Sequence, residues 1–135
     1  MRIALVYAHK GKSPASESVK ALAKGMESMG HRIDLLNAWT DDGIRLPGYE
    51  YIVIAAESIS LFGGRLPEAL PKMLSNASSL VGKKSAAFLI KTTPWTTKAM
   101  TNLMRTMEKE GMFVNWSEII INKEQAEALG KRIGA

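Results

Sequence analysis

Apolar residues in this chain fall into two textures, short continuous runs and longer stretches in which they recur every three or four positions. Runs at 2–7, 32–36, 51–56, 85–90 and 116–121 have the length and β-branched content of strands. Between them, Val19, Leu22, Ala23, Met26 and Met29 repeat with the period of an amphipathic helix, closed by Gly30-His31. Ala69, Leu70, Met73 and Leu74 mark a second helix, with Pro67 as its first residue and Pro71 one turn in, where it removes a hydrogen bond or bends the axis. Met100, Leu103, Met104 and Met107 mark a third helix, ended by Gly111, with the methionines expected in the core. Residues 124–133 form the last.

The second run should turn Ile33 and Leu35 inward, while 51–56, apolar at every position, should be a central parallel strand covered on both faces. Residues 37–48 are polar and turn-rich, with room for at most a short helix, and Asp41-Asp42 belongs to a turn. Strand and helix thus alternate over residues 1–135 without a repeat or a linker. The expectation is a single α/β domain, a three-layer, doubly wound, five-stranded parallel sheet with helices on both sides. Ligands of such sheets sit beyond the carboxyl ends of the strands, which directs attention to the loops 8–17, 57–65 and 91–97.

Composition narrows the chemistry. The chain has 46% apolar and 23% charged residues, as in ordinary folded proteins, and no cysteine, which excludes disulfides, thiolate metal ligands and cysteine nucleophiles. No apolar run approaches the ~20 residues of a membrane span, and the four apolar residues after Met1-Arg2 are too few for a secretion signal. A cytoplasmic protein without membrane contact is expected. The net charge is +5, and over the first 32 residues Arg2, Lys10, Lys12, Lys20, Lys24 and Arg32 face only Glu17 and Glu27. Such a field suits an anionic cofactor or an acidic partner, or is a mixed surface that leans basic. No interleaving of basic and aromatic residues accompanies it, so nucleic acid is not expected.

The first loop, YAHKGKSPASES, places His9, Lys10, Lys12, Ser13, Ser16 and Ser18 at a helix start, where unpaired N–H groups and hydroxyls can hold an anion. Equally, Ser13 or Ser16 can be the helix cap, with Glu17 in the first turn. The loop is neither a P-loop nor a Gly-x-Gly-x-x-Gly turn. The second loop carries Ser58, Ser60 and Leu61-Phe62-Gly63-Gly64, and the third Thr92-Thr93-Pro94-Trp95. Phe62 and Trp95 can sandwich a planar ring while the loops bond its polar edge, or each can pack against its own helix. Glu57, ending the central strand, can tune a ligand or bond loop amides. His9 and His31 form no metal cluster, and no nucleophile elbow surrounds Ser58 or Ser60. No catalytic residue is assigned.

Taken together, the opening strand and loop, the segment IVIAAESISLFGGRLPEALPKML, the loop KTTPWTT and the closing NKEQAEALGKRI resemble the flavodoxin-like family over essentially the whole chain. The resemblance implies strand order 2-1-3-4-5 and an FMN carrier that passes electrons to a redox partner protein, an acidic one where Lys20 and Lys24 guide docking. It places the FMN phosphate against His9, Lys10, Lys12, Ser13 and Ser16, and the flavin ring among Ser58, Ser60, Phe62, Gly63, Thr92, Thr93, Pro94 and Trp95. Pro14 has no N–H to give a phosphate cradle, and Lys10 or Lys12 can replace it by charge. The family's frequent Gly-x-Pro turn is here Ser58-Ile59-Ser60. Two alternatives share the fold, a regulatory or interaction domain without FMN and an NAD(P)H-dependent flavin or quinone reductase.

Overall fold

The computed structural model describes residues 1–60 and 64–134. Five strands, β1 (Arg2–Ala8), β2 (Arg32–Asn37), β3 (Tyr51–Glu57), β4 (Lys84–Ile90) and β5 (Phe113–Ile120), alternate with four helices, α1 (Glu17–Ser28), α2 (Ala69–Asn76), α3 (Thr96–Lys109) and α4 (Lys123–Arg132). All strands are parallel, in the order β2-β1-β3-β4-β5. This is the expected three-layer sheet, and the crossover from β2 to β3 holds only a single 3-10 turn at Leu46–Gly48.

Strand alternation splits the core in two. Ile3, Leu5, Val53, Ala55, Phe88 and Ile120 point to one face, covered by Val19, Leu22 and Met26 of α1 and Ala126 and Leu129 of α4. Ala4, Val6, Ile52, Ile54 and Ala87 point to the other, covered by Leu70, Met73 and Leu74 of α2 and Leu103 and Met107 of α3. β1, β3 and β4 therefore read as unbroken apolar runs because neither of their faces meets water. Met107 is fully buried, and Met100 and Met104 lie against the same core, as the helical spacing predicts.

Four local features differ from the sequence expectations. β2 is an edge strand, and Leu35 is 44% exposed, whereas Leu36, on the opposite face, is buried beneath Ala38, Leu46 and Tyr49. The apolar pair at 35–36 was compatible with either orientation, and the crossover decides it. α2 begins at Ala69 rather than Pro67, whose carbonyl accepts from Leu70 N at 3.1 Å. Pro71 then falls in the first turn, where the N–H it lacks would have no intrahelical acceptor, so it neither removes a bond nor bends the helix. β5 starts at Phe113, before the expected 116, with a bulge opposite Ser85 and Ala86 that leaves Asn115 to accept from Tyr51 Oη at 2.6 Å. Asp41 and Asp42 form the expected turn, accepting from Gly43 N and Ile44 N at 2.9 and 3.0 Å.

Candidate functional site at the carboxyl edge of the sheet

The register brings the three loops together. Ala8 lies beside Ala56, and Glu57 beside Ile90, so the chain leaves β1, β3 and β4 at adjoining points. The loop after β1 is organised by His9, which is 4% exposed. Its Nε2 accepts from Ser16 N at 3.1 Å, its carbonyl accepts from Trp39 Nε1 at 2.7 Å, and its ring lies 5.3 Å from that of Tyr7. Ser16, not Ser13, is the cap of α1: its Oγ accepts from Val19 N at 3.4 Å, with Glu17 in the first turn. Lys10, Lys12 and Ser13 are exposed on the rim.

Glu57 bonds a loop amide, one of the two roles its position allowed. One carboxylate oxygen accepts from Lys10 N at 2.7 Å, and the other lies 3.7 Å from His9 Nδ1. Burial pushes the imidazole below its ordinary proton affinity, and the Glu57 charge opposes that shift without cancelling it. His9 is therefore neutral near pH 7.

The second and third loops are tied to each other. Ser58 is buried, and its hydroxyl faces the carbonyls of Ser60 and Arg65 at 3.1 and 3.2 Å, while Ser60 Oγ accepts from Arg65 N at 2.9 Å. These bonds hold Arg65 against Ser58 and Ser60. Thr92 Oγ1 donates to the Ser58 carbonyl at 3.4 Å, and Asn102 Nδ2 to that of Gly64 at 3.0 Å. Gly64 has φ +67°, and a Cβ there would meet Ala99 N at 2.5 Å, so only glycine lets this loop lie against the start of α3. Thr93 Oγ1 accepts from Trp95 N at 3.3 Å. Trp95 itself is 42% exposed and, with Pro94, Thr97 and Lys98, walls an open hollow of about 420 Å³.

The site residues named from sequence thus form two clusters on one edge of the sheet: His9, Lys10, Lys12, Ser13 and Ser16 at the start of α1, and Ser58, Ser60, Thr92, Thr93, Pro94 and Trp95 beyond β3 and β4. Phe62 and Gly63 lie outside the described residues. Sequence reasoning missed Trp39, whose indole holds the first loop from 30 residues away, and Asn37, whose Nδ2 donates to Ser13 O at 3.3 Å. Trp39 also borders a hollow of about 640 Å³ between the 38–42 turn and α2, with Asp42, Glu68, Lys72 and Met73 on its walls. No group of acidic residues and histidines suited to a metal ion occurs among the described residues, nor is any helix long and apolar enough to cross a membrane.

No family model and no curated protein sequence matches the chain. Solved structures do. Flavodoxin 2 from Bacillus cereus superposes with a TM-score of 0.75 at 17% identity, over 96% of this chain and 95% of that one. A flavodoxin from the domain Archaea gives 0.71 at 19% identity over 98% and 96%, and two-electron reduced flavodoxin from Megasphaera elsdenii gives 0.69 at 14% over 96% of each. The fold is flavodoxin-like, as the sequence resemblance implied, with the strand order it implied.

Proposed function

We propose that the protein binds FMN across the carboxyl edge of the sheet and relays electrons between partner proteins. The observation that supports this most is the convergence, in a flavodoxin-like fold, of a helix start flanked by lysines with two mutually braced loops that carry a half-exposed Trp95. The residues suit the group in kind. Glu17 N and Ser18 N, at the first two positions of α1, have no intrahelical acceptor, and the loop that leads into them carries exposed Lys10, Lys12 and Ser13, residue types suited to a phosphate. Half-exposed Trp95 brings an aromatic ring to this edge, and the hydrogen-bonded segments 58–60 and 91–95 bring polar backbone groups suited to an isoalloxazine. Bound flavin supplies the redox chemistry, while the protein orients it and sets its surroundings. Exposed Lys20 on α1 would steer an acidic redox partner, whereas Lys24 already lies 3.6 Å from Glu127.

One observation favours a second function, a domain of this fold working without flavin. The Glu57 carboxylate already holds Lys10 N–H, so a phosphate must compete with a fixed negative charge for that donor. Titration of FMN fluorescence with purified protein separates the two. Quenching that saturates at micromolar protein or below supports the FMN carrier, and Trp95→Ala should weaken it about three- to tenfold, the value of one stacked ring. No quenching up to about 100 μM protein leaves the flavin-free function standing.

A further inference from the structure

The β1–α1 loop contains a buried polar atom that no described residue satisfies. His9 is 4% exposed, and because its Nε2 accepts from Ser16 N, a neutral ring carries its proton on Nδ1. Nδ1 has no hydrogen-bond partner among the described residues, and Glu57 Oε2 at 3.7 Å is beyond hydrogen-bond reach. Nε2 meanwhile occupies the amide of the residue that caps α1, directly before the unpaired amides of Glu17 and Ser18. A neutral imidazole therefore blocks part of an anion site as an acceptor.

Protonation reverses its role. With hydrogens on both nitrogens, Nε2 can no longer accept, so Ser16 N–H is released and a second donor and a positive charge stand next to it. We propose that the entrance of α1 is a phosphate-monoester site whose occupation takes up a proton on His9. The groups that meet the ring come from every element around it. β1 gives Tyr7, β3 gives Glu57 and the α1 cap gives Ser16; Lys10, Lys12 and Glu17 are the charged residues nearest to it in sequence, and Trp39 of the β2–β3 crossover bonds the His9 carbonyl. Of these Glu57 is the charge that acts on the imidazole. One carboxylate does not offset the burial, but a dianion added on the other side of the ring would make a second favourable charge. By linkage the anion then binds more tightly as pH falls from neutrality toward the empty loop's His9 transition, and its binding draws in a proton.

This rests on the FMN proposal only in that FMN is one such monoester; the loop chemistry alone suits inorganic phosphate as well. Calorimetric titration of the full chain at pH 7.5, in buffers of different ionisation enthalpy, measures the protons taken up with FMN, with riboflavin and with sulfate, which stays dianionic throughout. The expected result is uptake approaching one proton with FMN and with sulfate and none with riboflavin. His9→Gln, which keeps an acceptor for Ser16 N–H but cannot titrate, should bind FMN more weakly and without proton uptake. If that variant does not fold, the ring ¹⁵N shifts of wild-type His9 report the same event, moving from the Nδ1–H tautomer to imidazolium as sulfate is added. FMN binding without proton uptake, with His9 still neutral, overturns the His9 assignment and leaves the FMN carrier intact. Sulfate binding with proton uptake but no FMN binding does the reverse, and no binding of any probe overturns both.

Discussion

The α1–α4 face and the carboxyl edge lie a few residues apart on the same helix, yet they are built on opposite terms. Along the face, Gly25 and Gly130 let two helices touch backbone to backbone: a Cβ on Gly25 would run into the Glu127 carbonyl, and one on Gly130 into that of Leu22. Space is the constraint there, and the buried residues of both helices are apolar or glycine. At the edge, the constraint is polar pairing. His9, Glu57, Ser16 and Ser58 hold the loops through a few hydrogen bonds, and one imidazole nitrogen has no partner among the described residues. Substitution at the face should therefore unfold the protein, whereas substitution at the edge should change what the protein can hold.

The most damaging way to break the contrast is to fill the glycine contact. Gly25→Ala with Gly130→Ala should cost about 3–4 kcal/mol in urea unfolding, overpacking outweighing the ~1 kcal/mol per site that alanine gains in helix propensity. Gly48→Ala, where a Cβ meets nothing within 4 Å, should stay within about 0.5 kcal/mol.

Next in size is an alkaline loss from the apolar face. Burial pushes the Tyr51 phenol up to about 12. Its folded-state value exceeds the unfolded one, so the stability it contributes is complete below about pH 10 and is lost as pH rises toward 12. The wild type should lose roughly 2 kcal/mol across that window relative to Tyr51→Phe.

The edge shows the opposite sign. His9 holds protons less well folded than unfolded, so its contribution is present above about pH 6.5 and is lost as pH falls from there through the folded value. As pH falls below about 6.5 the wild type should lose more stability than His9→Gln, read from denaturant midpoints at each pH. A loss of about 1 kcal/mol is expected for half-buried Trp95→Ala, whose main effect should be on flavin affinity.

The same contrast explains how much was legible in the chain. Core strands and helices announce themselves because burial on both faces of β1, β3 and β4 leaves continuous apolar runs, and α1 and α3 repeat at helical spacing. Edge elements were blurred by their half-coverage. Leu35 and Leu36 carry the same hydropathy, and only the fold of the crossover decides which is covered; β5 begins in an alternating segment, Phe113-Val114-Asn115, that breaks the apolar run. At the site, local signals were readable. Ser16 capping α1 and Glu57 bonding a loop amide were both among the roles their positions allowed. Trp39 bonding His9 O, and His9 bonding Ser16, depend on how the loop closes in space, and no residue pattern records that.

The carboxyl edge as the FMN site is tested most directly by an amide-resolved NMR titration with FMN. Shifts should concentrate in residues 9–18, 58–65 and 91–97, with the Gly25–Gly130 contact silent. Shifts confined to the Trp39, Asp42 and Glu68 hollow, or no shifts at all, would contradict it.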